Sequence, residues 1–228
     1  MSTVDLDDIA FLESVDPDGM GRRISELPVQ CKEARSLVKE RSLPDDYRNA
    51  EGIVILGLGG SAIGGDLVSA LVRAECSVPI SVNRDYDLPA FVSAQTLVIA
   101  SSYSGNTEET LSAFRQALHR GARLMAITTG GELADLCQSE ALPLITFDYE
   151  SQPRAALGYS FVTLLSVIEE LGYVSDKSAQ LEDGVISLER LGSLIGLQVP
   201  EADNPAKQLA RRLEGCLLYT SPSPRDRS

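Results

Sequence analysis

Short unbroken apolar runs alternate along the chain with stretches in which apolar residues recur every three or four positions. The runs are Gly52–Leu56 (GIVIL), Val78–Val82, Leu97–Ser101 (LVIAS), Arg123–Thr128 (RLMAIT) and Leu142–Phe147. They do not alternate with polar residues, so they read as strands buried on both faces, the pattern of a parallel sheet covered by helices. Helices are predicted between them: from a Gly-rich loop at 57–65 through about Arg73, over about 107–119, and near 131–138. Two more are predicted at about 154–172 and 178–195. Strand–helix repetition with short loops sets the fold class as α/β, a doubly wound five-stranded parallel sheet.

Ahead of the sheet, 6–14 and about 20–41 read as helices, the second with Ile24, Leu27, Cys31, Ala34, Leu37 and Val38 on one face. Pro28 splits or kinks it, and a Pro-Asp-Asp turn at 44–46 closes the region. Beyond the sheet, Asn204–Leu213 (NPAKQLARRL) is one more helix, with Asn204 as N-cap and Pro205 in the first turn. Cys216–Tyr219 looks like the opening of a strand, and the chain then ends in the Ser/Pro/Arg-rich TSPSPRDRS. The expected organisation is therefore N-terminal helices at 1–46, the α/β domain at 47–198, the start of a truncated second α/β domain at 199–218, and a disordered, non-native-looking tail at 219–228.

Composition narrows the function classes. With 43% hydrophobic and 23% charged residues, the 228-residue chain is globular in composition. No apolar run approaches about 18 residues, so no membrane-spanning helix is predicted. The acidic opening MSTVDLDDIAFLESV lacks the basic and apolar regions of a signal peptide, and a cytoplasmic location is expected. A net charge of -13 repels nucleic acid and anionic lipid, so neither is an expected partner. An anionic small ligand would have to be held by backbone amides and one or two Arg. Cys31, Cys76, Cys137 and Cys216 are scattered, with no C-x-x-C, and predict free thiols. With a single His, no multi-histidine metal site can form, and neither metal nor cofactor is expected.

Two strand ends carry unusual chemistry. GLGGSAIGGD at 57–66 holds glycines that let a ligand approach the backbone, followed by a helix N-terminus. SSYSGNTEET at 101–110 also opens a helix, with Asn106 or Thr107 as N-cap and Glu109 or Thr110 near its third position. Ser102, Ser104 and Thr107 hydroxyls, together with backbone N–H groups, would form a phosphate cradle of neutral donors. Arg154, after Pro153 at the start of an apolar helix, serves either a salt bridge or cap, or an anionic ligand. His119 lies near a helix end and reads as solvent-facing. Glu108 and Glu109 are expected to face away from a bound anion.

GLGGSAIGGDL, RDYDLP at 84–89, IASSYSGNTEETL and QPRAALGYSF resemble the SIS (sugar isomerase) fold, specifically the bifunctional phosphoglucose/phosphomannose isomerases. The resemblance implies a sugar phosphate as ligand, held by Ser102, Ser104 and Thr107. It places Gly59, Gly60 and Ser61 along the sugar and gives Arg154 a catalytic role. It further implies an aldose–ketose isomerisation through an enediol and a homodimer in the full-length parent. The base Glu, the ring-opening His and a Lys would come from a second SIS domain, so this chain by itself is expected to be inactive. Two other readings stand beside it. One is a non-catalytic SIS module that senses a phosphosugar. The other is a dinucleotide enzyme, since GLGGSA satisfies G-x-G-x-x-A.

Overall fold

A computed structural model describes residues 4–39 and 41–214. Five strands, β1 (Gly52–Leu56), β2 (Ile80–Asn83), β3 (Thr96–Ser101), β4 (Arg123–Thr128) and β5 (Leu144–Thr146), form one sheet in the order β2-β1-β3-β4-β5. Every pairing is parallel. The helices are α1 (Ile9–Val15), α2 (Met20–Ser25), α3 (Leu27–Lys39), α4 (Gly60–Val72), α5 (Glu108–His119), α6 (Gly131–Ser139), α7 (Leu157–Glu170), α8 (Ser178–Ile195) and α9 (Pro205–Leu213).

The predicted doubly wound sheet is present, and alternate residues of its strands feed two separate cores. Ile53, Ile55, Leu97, Ile99 and Met125 join residues of α3, α4 and α7. Val54, Leu56, Val98, Ala100 and Leu124 join Leu111 and Phe114 of α5 and Leu133 of α6. Both faces are covered, which is why the strand sequences are continuously apolar.

Several predicted boundaries shift, and prolines explain most of the shifts. The predicted 78–82 strand begins at Ile80, because Pro79 has no N–H and enters the ladder only as an acceptor, from Ile53 N at 2.9 Å. The predicted 142–147 strand shortens to 144–146 after Pro143, whose carbonyl accepts from Ala126 N at 3.1 Å. The helical stretch read over 20–41 is split into α2 and α3, as expected of Pro28, which in the first turn of α3 cannot bond back into the preceding turn. The helix expected from 154 is preceded by a 3-10 turn at Pro153–Ala155, and α7 starts at Leu157. Asp8 caps α1 by accepting from Phe11 N, so that helix begins at Ile9 instead of residue 6.

The chain divides into two compact units, one holding residues 18–188 and the other the described residues 4–17 and 189–214. In the smaller unit Asn204, fully buried, caps α9 by accepting from Ala206 N and Lys207 N at 2.9 and 3.1 Å. Asp7 pairs with Lys207 at 2.9 Å, and Glu201 pairs with Arg211 at 2.8 Å. The predicted strand at Cys216–Tyr219 and the tail lie outside the described residues. Cys31 and Cys137 are buried and Cys76 half-buried, all as free thiols. Among the described residues no helix is long and apolar enough to cross a membrane.

An acid-sensitive tie links the end of α4 to the start of α8. Glu75 accepts from Lys177 Nζ and Ser175 N, and these bonds pull its pKa from 4.5 to about 2. The folded pKa is the lower one, so the contribution is complete above pH 4.5 and lost as pH falls towards about 2. Thermal melts across that window are expected to show a smaller decline in Tm for Glu75→Gln than for the unaltered chain. An equal decline in both would discount the tie.

Candidate functional site

In the sheet β1 and β3 are neighbours, with Leu56 in register with Ala100. The chain leaves β1 into α4 on one face and leaves β3 into α5 on the other. A crevice therefore opens at the carboxyl ends of these two strands, the switch point at which open parallel sheets bind ligands. The two Gly/Ser loops flank that crevice. Neither helix start has a side-chain cap: Gly59 stands at the N-cap of α4 and Thr107 at that of α5. Their first-turn amides are the kind of donors that bind anions.

Around this crevice the named residues converge unequally. Ser102 is buried, with its hydroxyl 3.2 Å from that of Thr107. Ser61 Oγ accepts from Tyr103 N at 3.2 Å, so α4 is tied directly to the hydroxyl-rich loop. Ser104 is exposed, and its Oγ accepts from Asn106 N at 3.2 Å. A hydroxyl that accepts this way still has its proton to donate. A Cβ at Gly60 would lie 3.0 Å from Arg154 N and Cα, so the absent side chain lets the Arg154 turn rest on the start of α4. Arg154 itself is exposed and makes no ion pair among the described residues. Arg84, by contrast, is neutralised by Asp66 of α4.

Glu108 accepts from the Tyr86 hydroxyl at 3.2 Å, and this bond raises the Tyr86 pKa. His119 is exposed at the far end of α5, a 12-residue helix. That length puts it roughly 17 Å from the uncapped first turn.

No protein-family model matches the chain. Individual relatives do. It is 45% identical over 194 residues to the bifunctional phosphoglucose/phosphomannose isomerase of Caldicellulosiruptor bescii, covering 85% of this chain and 57% of the relative. It is 33% identical over 181 residues to the enzyme of the same name from Aquifex aeolicus, covering 78% of this chain and 52% of the relative. The chain belongs to the SIS-domain bifunctional phosphoglucose/phosphomannose isomerase family. It spans just over half the length of these relatives.

Solved structures agree on the fold of this family member. A hypothetical protein from Thermus thermophilus superposes with a TM-score of 0.63 at 21% identity, covering 92% of this chain and 51% of that one. The C-terminal domain of glucosamine-fructose-6-phosphate aminotransferase from Francisella tularensis gives 0.50 at 18% identity, covering 75% and 53%.

Three supports of the loops around the crevice escaped the motif reading. The first is the loop Thr128–Gly131 after β4. Thr129 N and Oγ1 donate to Tyr103 O at 3.0 and 2.7 Å, and Leu133 N donates to Gly105 O at 2.9 Å. Gly105 has φ +67°, and a Cβ there would stand 1.8 Å from Gly130 O. The paired glycines at 130–131 were the available signal. The second is Gln30, 1% exposed. Its amide donates to Ala155 O at 2.9 Å and Tyr149 OH at 3.0 Å, and its carbonyl oxygen accepts from Gly158 N at 3.1 Å. A polar residue within the buried stripe of α3 marked it. The third is Tyr149, whose hydroxyl donates to Glu26 at 2.7 Å beneath the Arg23 guanidinium. Burial and the Glu26 carboxylate together raise the Tyr149 pKa. Burial opposes the charge on Glu26, but bonds from Tyr149, Arg22 and Arg23 outweigh it and hold that carboxylate below its usual pKa.

Proposed function

We propose that the crevice binds a hexose 6-phosphate and that the protein is a glucose/mannose-6-phosphate isomerase, interconverting these aldoses with fructose 6-phosphate. The observation behind this reading is the meeting of the Ser102 and Thr107 hydroxyls at the uncapped start of α5, beside the uncapped start of α4. A phosphate dianion there would gain two helix dipoles and a ring of neutral donors. Ser102, Ser104 and Thr107 hold the phosphate, while Gly59, Gly60 and Ser61 line the sugar.

Isomerisation moves a proton between C1 and C2 through a cis-enediol, whose oxygen gains negative charge as the proton leaves. The unpaired Arg154 is the group on this chain suited to stabilise that charge. Among the described residues none near the crevice has both the type and the place of a proton-transfer base, so the base and the ring-opening group lie outside this set. In this reading residues 47–198 are the phosphosugar-binding domain, and the working protein is a cytoplasmic homodimer.

Calorimetry with fructose 6-phosphate tests the phosphate assignment. Ser104→Ala is expected to lose about 1–2 kcal/mol of binding free energy, the usual worth of a hydrogen bond to a charged group. An unchanged affinity would remove Ser104 from the cradle.

A further inference from the structure

Tyr103 stands where the segments that build the site meet. Its N–H donates to Ser61 at the start of α4, and its carbonyl accepts from Thr129 in the loop after β4. Its hydroxyl reaches a more distant piece of chain, the approach to Arg154. There it donates to Tyr149 O and accepts from Ser151 N at 2.8 Å. Gln30 grips the same approach from the other side, at Ala155 O and Gly158 N.

Arg154 lies between these two grips. Nothing among the described residues pairs with its guanidinium, so its position depends on how the backbone of its turn is held. That backbone rests on Gly60, where the contact is permissive and forms no hydrogen bond. The directional bonds that join the turn to the hydroxyl-rich loop are those of the Tyr103 hydroxyl. The ring of Tyr103 has separate support, an edge contact with Phe147 at 6.2 Å between centroids.

We propose that Tyr103 is a positioning residue, its hydroxyl holding the Arg154 turn in register with the phosphate loop so that both engage one substrate molecule. This rests on the sugar-phosphate reading of the crevice. Tyr103→Phe removes the hydroxyl and leaves the ring, its N–H and its carbonyl in place, so the loop keeps its ties to Ser61 and Thr129.

A double-mutant cycle with Arg154→Ala, read by fructose 6-phosphate calorimetry on the full chain, separates positioning from general support. Tyr103→Phe alone is expected to weaken binding about fivefold, the worth of one typical hydrogen bond. In the Arg154→Ala background the same change should alter affinity by less than about twofold, because the group it positions is gone. Native-state hydrogen exchange of the Ser151 amide should also quicken in Tyr103→Phe. Unaltered binding, an equal factor in both backgrounds, or unchanged Ser151 protection would overturn the proposal while leaving the site reading intact. Failure of the unaltered chain to bind fructose 6-phosphate would overturn the site reading and this inference with it.

Discussion

Purified as its 228 residues, the chain is expected to bind fructose 6-phosphate yet isomerise it at close to the background rate. The groups on the crevice are suited to holding an anion: hydroxyls, backbone amides and one guanidinium. None of them is a carboxylate or an imidazole. General acid and base groups each contribute about 10²–10⁴-fold, so a site without either keeps only its binding and its electrostatic stabilisation. A coupled assay for phosphoglucose isomerase decides the matter. Clear turnover would mean that the base lies within these residues. Glu108 and Glu109 at the start of α5, and then His119, would be the first to replace.

Gly105→Ala is expected to be the most damaging single-methyl change in the site. The residue sits at φ +67°, which costs an L side chain about 1–2 kcal/mol. The added Cβ would also stand 1.8 Å from Gly130 O, so the loop after β4 must move. Forcing such overlap adds about 1–3 kcal/mol. Gly121 provides the control, with the same φ of +67° and nothing within 4 Å of where its Cβ would stand. Gly121→Ala should show the backbone cost alone and keep sugar-phosphate binding. Gly105→Ala should lose binding and melt several degrees below it, since about 1 kcal/mol corresponds to roughly 2–4 °C in a chain of this size. Equal melting points with binding retained in both would mean that the Gly105–Gly130 contact relaxes freely.

What was legible in the sequence follows from the range of the forces involved. Strands buried on both faces leave continuous apolar runs, so all five are visible there, and the edge strands β2 and β5 each start two residues later than the runs predict. There Pro79 and Pro143 limit which backbone groups can pair, a local effect that an apolar count overlooks. The two Gly/Ser loops were legible as strand-to-helix junctions because glycine and hydroxyl residues favour turns and helix starts. The supports of Arg154 were not. Tyr103 and Tyr149 are 46 residues apart, and Gln30 and Ala155 are 125 apart. Neither separation leaves a periodicity to detect, although a glutamine among the apolar positions of α3 was a visible irregularity.

That second separation bears on the order in which the protein takes shape during synthesis. The strands from β1 to β4 and the helices between them are all made before residue 155 leaves the ribosome. Closing a long loop costs only slightly more than closing a shorter one, so the delay arises from the order of synthesis more than from entropy. α3 is among the first segments made, yet its grip on the Arg154 turn must wait for the start of α7 to emerge. The strands of the sheet are therefore all made before the last of the ties that hold the Arg154 turn.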